Sequence, residues 1–447
     1  MSIIDQIFQA GVVGCGGAGF PTHVKYKGQI EQLIINGAEC EPLLRTDRYL
    51  MRTYAHEIVE TVAVLKSELG IEKCTIGLKE AYSDEIKALR GAIEETDAPV
   101  ELHLMPSFYP AGDEQTLVYE VTGRVVPPAG IPMDVGCVVS NIATVLAISD
   151  ARKEIPFTHK FLTVSGEVNS PTILRVPLGT PVTECIRLAG GARLSDYAVL
   201  LGGPMMGKVI TREEAEERTV IKTMSGIVLL PKEHIVVSYA QAPVERMVSR
   251  ARAACIRCSQ CTDLCPRHLL GHPIEPHRVM RRLALEGDLN AIPSDDPVLK
   301  NALLCCECGV CELIACPMGL QPRRINAEIK KRLGAEKIRY PKGEGQTDVH
   351  LFRDERRAAT ARAVARSGVQ EYQSYQIDSF QEADPEKVCL PLSQHIGAPC
   401  EPVVSSGDVV TAGQLIARCP ENKLGTNLHA SISGRVTVDD KSITITR

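Results

Sequence analysis

Nine cysteines form two tight groups in the second half of the chain, and their spacing suits metal binding. The first group, CIRCSQCTDLCP, places Cys255, Cys258, Cys261 and Cys265 in the pattern C-x2-C-x2-C-x3-C, followed by proline. Three cysteines at this spacing fit round three corners of an iron–sulfur cubane, and the fourth reaches a second cubane where two are present. Structural zinc, which more often uses two distant C-x2-C pairs, is the alternative.

The second group, LLCCECGVCELIACP, has one cysteine more than a cubane needs. Cys305, Cys308 and Cys311 keep the two-residue spacing, whereas Cys306 lies one residue out of register. Cys316 precedes a proline, but four residues rather than three separate it from Cys311. We expect the extra residue to bulge the turn without preventing ligation. We expect Cys306 to be a free thiol, with Cys306 as a substitute ligand as the alternative.

The cysteine before each proline predicts an exchange of ligands between two 4Fe–4S clusters. The two expected ligand sets are Cys255, Cys258, Cys261 and Cys316, and Cys305, Cys308, Cys311 and Cys265. Clusters related in this way lie close enough for fast electron transfer, which a zinc protein does not require.

A glycine-rich loop near the start could bind a phosphate. The stretch GVVGCGGAGFPTHVKYKG contains Gly14, Gly16, Gly17 and Gly19, and Lys25 follows as a candidate counter-charge. Such a backbone can approach a phosphate closely and point its N–H groups at it. The loop is neither a Walker loop, because no G-K-[ST] ends it, nor a dinucleotide fingerprint, because no clear strand precedes it. A simple tight turn is the alternative.

An acidic loop follows. An apolar run ends at Asn36, and Glu39 and Glu41 then stand on either side of Cys40. Carboxylates at the end of a strand that faces a glycine loop are costly unless they bind something. The stretch therefore indicates a ligand site, with a solvated loop as the alternative.

Composition limits the possible functions. The chain has 447 residues, enough for roughly three domains, with 44% hydrophobic and 23% charged residues. The net charge of −5 and the absence of tryptophan make nucleic acid an unexpected partner. We see neither a signal peptide nor an apolar run that could span a bilayer, so a cytoplasmic protein is expected. Seventeen cysteines in a reducing compartment are not a disulfide scaffold.

The pattern of apolar runs and turn residues predicts a multidomain α/β protein. The expected regions are an α/β domain at 1–150, a small α+β module at 155–235, a helical cysteine-rich domain at 244–340, a linker with one helix at 341–385, and a β domain at 386–447. The first ten residues place Ile3, Ile4, Ile7 and Phe8 on one helical face. That face could dock on a shell protein or pack on the chain's own first domain.

The motifs GCGGAGFPTHVK and NGAECEP resemble the flavin-binding subunit of respiratory complex I and, more closely, RnfC-type electron-transfer subunits. Two further stretches, FYPAGDEQTLVYEVTGRVVP and VSNIATVLAI, are similar to the next flavin-contacting segments of that fold. The resemblance implies a complex I-like FMN-binding domain, a β-grasp (SLBB) domain, a helical domain with two 4Fe–4S clusters like a ferredoxin, and a C-terminal barrel-sandwich hybrid. It covers nearly the whole chain.

The order of these modules is informative. RnfC-type subunits carry the barrel-sandwich module at the N-terminus, whereas here it follows the cysteines. That order resembles the cobalamin reductases of bacterial microcompartments for propanediol utilisation. The resemblance implies electron transfer from NADH through FMN and two 4Fe–4S clusters to cobalamin, with an adenosyltransferase and a shell protein as partners in the microcompartment lumen or at its shell. The alternatives are an RnfC-like NADH-input subunit with another acceptor, and a non-enzymatic zinc- or ligand-binding module associated with a shell.

The resemblance also implies site residues. The expected FMN contacts are Gly14, Gly16, Gly17, Lys25, Asn36, Ala38, Glu39, Tyr109, Gly112, Asp113 and Asn141, and the expected NADH contacts are Phe20 and Glu41. No side chain is expected to act as a general acid or base. Three positions depart from complex I: Cys15 replaces an arginine, Ala38 an acidic FMN contact, and Ser140 one of two asparagines.

Overall fold

The structure, a computed structural model, describes residues 1–343, 348–374, 377 and 379–447. Within them the chain forms an α/β domain, an α+β domain, a helical cysteine-rich domain and a C-terminal all-β domain. The fold class expected from the sequence is therefore present, in the expected order.

The N-terminal domain is a parallel sheet packed with helices. Its strands are β1 (Gln32–Asn36), β2 (Lys73–Lys79), β3 (Glu101–Met105), the short β4 (Phe108–Tyr109) and β5 (Cys137–Asn141). Its helices are α1 (Ile3–Gln9), α2 (Thr22–Lys25), α3 (Thr46–Thr53), α4 (Ala55–Leu69), α5 (Ser83–Thr96), α6 (Glu114–Thr122) and α7 (Ile142–Arg152), with a 3-10 turn at Pro132–Val135. The parallel strands lie in the order β3-β2-β1-β5, so the direction of winding reverses between β1 and β5. At such a switch point the carboxyl ends of the strands leave a crevice for a ligand.

Helix α1 packs on its own domain. Ser2 caps the helix, and Ile3 and Ile7 are buried in the core that includes helix α7. The backbone oxygen of Phe8 accepts a hydrogen bond from Thr426 of the C-terminal domain. The apolar face of this helix is therefore covered by the protein itself, as one of the two sequence-based alternatives expected.

The second domain is a mixed sheet with short helices. Its strands are β6 (His159–Gly166), β7 (Thr172–Pro177), β8 (Tyr197–Leu201), β9 (Lys208–Ile210) and β10 (Gly226–Pro231), and its helices are α8 (Val182–Leu188), α9 (Arg212–Glu216) and α10 (Ile235–Gln241). The strands lie in the order β7-β6-β10-β8-β9. Short β runs interrupted by glycine and proline produce this small sheet, whose inward residues form a separate core.

The cysteine-rich domain contains only helices. They are α11 (Val244–Ala254), α12 (Gln260–Asp263), α13 (Pro266–Leu269), α14 (Pro276–Glu286), α15 (Pro297–Asn301), a 3-10 turn (Ala302–Leu304), a π-helix (Val310–Ala315) and α16 (Pro322–Ala335). Helices α11, α14 and α16 pack on one another through an apolar core that also contains Cys316.

The segment expected to be a linker contributes two short strands, one that forms a two-stranded sheet with β4 and one that extends the sheet of the second domain. Strand β11 (Ala358–Ala359) pairs with β4, helix α17 (Thr360–Arg366) follows, a 3-10 turn covers Gln370–Ser374, and β12 (Phe380–Glu382) pairs with β7. The one helix lies where the sequence predicted it. Residues 344–347, 375, 376 and 378 of the expected linker lie outside the described residues. Strand β11, helix α17 and strand β12 pack against other parts of the protein, which the polar sequence did not indicate.

The C-terminal domain is entirely β. Its strands are β13 (Lys387–Pro391), β14 (Glu401–Pro402), β15 (Val409–Val410), β16 (Leu415–Arg418), β17 (Leu428–His429), β18 (Gly434–Val438) and β19 (Ser442–Thr446). They form two sheets, β13-β19-β18-β15 and β14-β16-β17, round one apolar core. Over the whole described part of the chain, no helix has the length and apolar character that crossing a membrane requires.

Candidate flavin and iron–sulfur sites

Asn36 and Asn141 lie side by side where strands β1 and β5 end, at the switch point of the sheet. The Asn36 amide donates to the carbonyl oxygen of Gly112 (2.9 Å) and accepts from the N–H of Ala38 (3.1 Å). The Asn141 amide donates to the Asp47 carboxylate (2.7 Å), and its oxygen caps helix α7. The crevice therefore brings together residues that the resemblance selected from three distant stretches.

The glycine-rich loop crosses over Asn141. A Cβ on Gly16 would lie 3.1 Å from the Asn141 side chain, whereas one on Gly17 would meet none of the described atoms within 4 Å. The Gly14 N–H donates to the carbonyl oxygen of Phe20 and closes the loop. Gly16, Gly17 and the Phe20 ring are exposed, so a ligand can reach them. A narrow loop with open peptide groups fits a phosphate or a flat ring.

Lys25 lies just after this loop, in helix α2. Its ammonium pairs with the carboxylate of Glu114 at 3.2 Å, and both side chains are partly exposed. A pair of this kind contributes about 0–1 kcal/mol. The lysine is therefore held beside the crevice by a contact weak enough for a ligand phosphate to replace.

The acidic loop buries two carboxyl groups. Burial, aided by the neighbouring Asp47 carboxylate, raises the pKa of Glu39 to about 8, and burial raises the pKa of Glu41 to about 7. One oxygen of Glu39 accepts from the N–H of Asp47 (3.1 Å), and one oxygen of Glu41 accepts from the N–H of Met205 (2.8 Å). The second oxygen of each carboxyl has no partner among the described residues. Buried polar atoms are normally paired, so these oxygens fit donors on a bound FMN and NADH.

Gly112 fixes the turn between strand β4 and helix α6 against the acidic loop. Its N–H donates to the sulfur of Cys40 at 2.8 Å. A Cβ at this position would lie 2.6 Å from the carbonyl oxygen of Ala38, so no other residue fits without a shift. The two predicted site residues on either side of this turn, Tyr109 and Asp113, are positioned by it.

Those two residues contact the cysteine-rich domain. The buried Tyr109 hydroxyl donates to the carbonyl oxygen of Cys308 at 2.7 Å. Asp113 caps helix α6 with one oxygen and accepts from the Arg267 guanidinium with the other, at 2.9 Å. Arg267 stands two residues after Cys265, and both members of the ion pair are largely buried. The crevice and the cysteines are therefore joined by direct contacts.

The nine clustered cysteines line two cavities. We name the first the outer cavity, and its cysteines are Cys255, Cys258, Cys261 and Cys316. We name the second the inner cavity, and its cysteines are Cys265, Cys305, Cys306, Cys308 and Cys311. All seventeen cysteines of the chain are free thiols. The structure therefore brings together both sets that ligand exchange predicts, and the four thiols of each set fit a 4Fe–4S cubane.

The two cysteine loops follow the same backbone path. Arg257 and Ser259 of the first loop have φ values of 59° and 61°, and Glu307 and Gly309 of the second have 57° and 82°. Residues other than glycine rarely adopt this left-handed conformation. Its repetition at the same two places indicates that each loop wraps its cavity in the same register.

The shared register of the two loops shows which residue of the first loop corresponds to Cys306. It places Cys306 opposite Ile256, whereas Cys305 and Cys308 stand opposite Cys255 and Cys258. Cys306 lines the inner cavity all the same. The shared backbone path supports the prediction that Cys306 is a free thiol and not a cluster ligand.

The longer gap before Cys316 is absorbed by a change of helix type. Gln260–Asp263 in the first loop is a turn of α-helix, whereas Val310–Ala315 in the second is π-helical. A π-helix closes its hydrogen bonds over one more residue than an α-helix. The extra residue therefore widens the turn as expected, and Cys316 still reaches the outer cavity.

Sequence reasoning missed several residues of these sites. Asp47 binds Asn141, and burial raises its pKa to about 6. Its position shortly after the acidic loop was a signal that could have been used. Lys160 of strand β6 donates to the carbonyl oxygen of Cys15, and Arg267 binds Asp113. No local pattern marks these contacts, because each joins two domains.

Four family models match the chain, in the order that the resemblance predicts. They are the Nuo51 FMN-binding domain over 7–150, the SLBB domain over 161–209, a 4Fe-4S dicluster domain over 254–321 and the RnfC barrel sandwich hybrid domain over 370–444. The four expected modules are confirmed.

Similarity to individual proteins extends further. The chain is 40% identical over 449 residues to the cobalamin reductase PduS of Salmonella typhimurium, with 100% of this chain and 96% of that protein covered. It is 33% identical over 274 residues to one component of the Na+-translocating ferredoxin:NAD+ oxidoreductase complex of Acetobacterium woodii, with 60% of this chain and 58% of that protein covered. A crystal structure of an NAD+-reducing NiFe hydrogenase in the H2-reduced state overlays with a TM-score of 0.49 at 20% identity, covering 76% of this chain and 63% of that one.

Proposed function

The chain belongs to the family of the cobalamin reductase PduS, and from that membership we propose that it passes electrons from NADH through FMN and two 4Fe–4S clusters to cobalamin. The similarity to PduS extends over the whole chain, whereas the similarity to the component of the Na+-translocating complex covers 60% of it.

One pair of contacts supports the proposal most directly. Tyr109 and Asp113, both expected at the flavin, bind Cys308 and Arg267 at the inner cavity. These bonds hold the crevice against the cysteine loops at a fixed separation. A chain that only stored a metal or bound a ligand would not need its crevice fixed to a cysteine-lined cavity.

FMN, when bound, supplies the conversion between two-electron transfer from NADH and one-electron transfer to iron–sulfur clusters and cobalt. The chain's own residues place the participants. The glycine-rich loop with Lys25 would hold the phosphate, and Asn36, Asn141 and Glu39 would hold the ring system from the ends of the strands. Phe20 and Glu41 would orient NADH. We assign no general acid or base.

The eight cysteines of the two predicted ligand sets would hold the clusters, with Cys306 outside them. The domain limits expected from the sequence are part of the same proposal. The segment 341–385, expected to be a linker, pairs with strands of the first two domains. We further propose that the reduced cobalamin is taken by an adenosyltransferase, within or at the shell of a bacterial microcompartment. That part rests on family membership alone.

The test is NADH oxidation by anaerobically reconstituted protein with cob(III)alamin as acceptor, followed at the cobalt absorption bands. We expect cobalt reduction that depends on NADH, and its loss in Cys308→Ser. Bleaching of the flavin without cobalt reduction would leave NADH oxidation standing and remove cobalamin as the acceptor. A colourless protein that contains zinc and no iron would overturn the redox function altogether.

A further inference from the structure

The inner and outer cavities have different surroundings. Tyr109, Met205 and Cys308 share one buried apolar cluster, so the inner cavity lies against the first two domains. The outer cavity belongs to the core of the helical domain and reaches the surface, where Cys258 is exposed and Ile256 is 59% exposed. The inner cavity is therefore the nearer one to the flavin crevice, and the outer cavity is where electrons would leave the chain.

A cleft of about 1120 Å³ opens beside the outer cavity, between helices α11, α14 and α16. Helix α11 lines the cleft with Ala253 and ends at Ala254, and the next residue, Cys255, lines the outer cavity. Helix α14 lines the outer cavity with Met280 and the cleft with Ala284, about one helical turn further on. The cleft and the outer cavity therefore share two walls.

The lining of the cleft combines apolar surface with unpaired charge. Val248, Ala284 and Leu289 contribute apolar groups. Two cations, Arg252 and Lys331, and three acidic residues, Glu245, Asp288 and Glu328, also line the cleft. Neither of these two cations has an ion pair or a side-chain hydrogen bond within the described part of the chain.

The rim of the cleft is fixed in place. Arg332 donates to the carbonyl oxygens of Leu289 (2.7 Å) and Ile292 (2.8 Å) and to the hydroxyl of Ser294 (2.7 Å). These bonds hold the turn after helix α14 against helix α16. The cleft is therefore already formed without a ligand, as small-molecule sites usually are.

We infer that this cleft binds cobalamin, with the corrin ring next to the outer cavity; the inference rests on the proposed function. Ligand pockets usually measure roughly 300–1000 Å³. At about 1120 Å³ this cleft is slightly larger, as a macrocycle requires. A corrin ring has apolar faces for Val248, Ala284 and Leu289. The amide groups on its edge need donors and acceptors, and its phosphodiester needs a cation such as Lys331.

The electron balance is simple. Oxidation of one NADH to NAD+ and a proton releases two electrons, and these reduce two Co(III) centres to Co(II), one at each occupation of the cleft. The electrons reach the cobalt from the outer cluster, and no bond to a side chain forms or breaks.

The experiment measures cob(III)alamin binding to the reconstituted holoprotein by equilibrium dialysis without NADH. Ser249→Trp and Ala335→Trp would fill the cleft from opposite walls, because both residues line it. Arg246→Trp, on the same helix as Ser249 but outside the lining, is the matched control. Electron paramagnetic resonance of both clusters verifies that each variant is intact.

We expect both cleft variants to bind cob(III)alamin about tenfold more weakly or worse, and the control to bind it as the unmodified chain does. Lys331→Glu should weaken binding of cobalamin but not of cobinamide, which lacks the phosphodiester. Unchanged cobalamin affinity in both tryptophan variants, with cobalt still reduced, would overturn the inference that the cleft binds cobalamin. The proposed function would still stand. An unmodified chain that neither binds nor reduces cobalamin would overturn both.

Discussion

The hydroxyl of Tyr109 donates a hydrogen bond of 2.7 Å to the carbonyl oxygen of Cys308, across 199 residues of chain. Both groups are buried. The bond joins the turn behind the flavin crevice to the loop that lines the inner cavity, and so fixes the distance between the two sites.

Replacement of Tyr109 by Phe should slow electron transfer from the flavin to the clusters more than reduction of the flavin by NADH. The ring stays in place, but the buried carbonyl oxygen of Cys308 loses its partner at a cost of about 1–3 kcal/mol. Stopped-flow absorbance at the flavin and cluster bands separates the two steps. Tyr239→Phe, which removes a hydroxyl bonded to Gly319, is the control and should affect the flavin-to-cluster step less. Equal cluster reduction in Tyr109→Phe and the unmodified chain would contradict the prediction.

Replacement of Arg267 by Gln should lower the reduction potential of the inner cluster and leave that of the outer cluster unchanged. Arg267 is a buried cation beside the inner cavity, and its Nε and one terminal nitrogen have no hydrogen-bond partner among the described residues. Such a cation stabilises the extra negative charge of a reduced cluster. Breaking the buried pair with Asp113 should also destabilise the protein by roughly 3–5 kcal/mol. A redox titration followed by electron paramagnetic resonance measures both potentials.

Arg267→Lys distinguishes the effect of the positive charge on the reduction potential from the effect of side-chain packing. It keeps the positive charge while giving up the planar fork of donors. We expect it to restore most of the potential of the inner cluster. A shift of both clusters together, or no recovery with Lys, would mean that the arginine acts only through the stability of the fold.

Replacement of Cys306 by Ser should leave the iron content of reconstituted protein unchanged, because the backbone register places Cys306 opposite the non-ligand Ile256. Cys308→Ser should lose the inner cluster, and therefore about half of the iron. Iron and acid-labile sulfide analysis on matched preparations provides the measurement. Loss of one cluster in Cys306→Ser would mean that Cys306 is a ligand and that the second loop binds its cluster in a different register.

The features that were predictable from the sequence are those encoded over short distances. The two groups of cysteines that line the cavities follow from cysteine spacing, and even the widened turn before Cys316 follows from one extra residue. The contacts that unite the sites were not predictable. Arg267 stands two residues after Cys265, but its partner lies 154 residues away, and only the folded chain brings it to Asp113. The same holds for residues 358 and 359, whose pairing with strand β4 depends on a partner some 250 residues away.

The flavin-free protein should lose stability as the pH rises from about 5 to about 8. Burial raises the pKa of Glu39 to about 8 and that of Glu41 to about 7, both above the ordinary value of a glutamic acid. Over this range the folded chain holds more protons than the unfolded chain, so its free energy of unfolding falls as the pH passes through the raised pKa values.

Glu39→Gln should therefore match the unmodified protein near pH 5 and be more stable near pH 8.5, because the amide keeps the bond from the Asp47 N–H without needing to ionise. Each unit of pKa shift corresponds to about 1.4 kcal/mol, so a gain of a few kcal/mol at the higher pH is the upper expectation. Urea unfolding followed by circular dichroism at several pH values measures it. Glu94→Gln, at an exposed position of helix α5, is the control and should parallel the unmodified protein at every pH. The opposite outcome is that the free energy of unfolding of Glu39→Gln also follows that of the unmodified protein at every pH. The Glu39 carboxyl would then be ionised in the folded chain throughout this range, with a cation or water in the crevice to stabilise it.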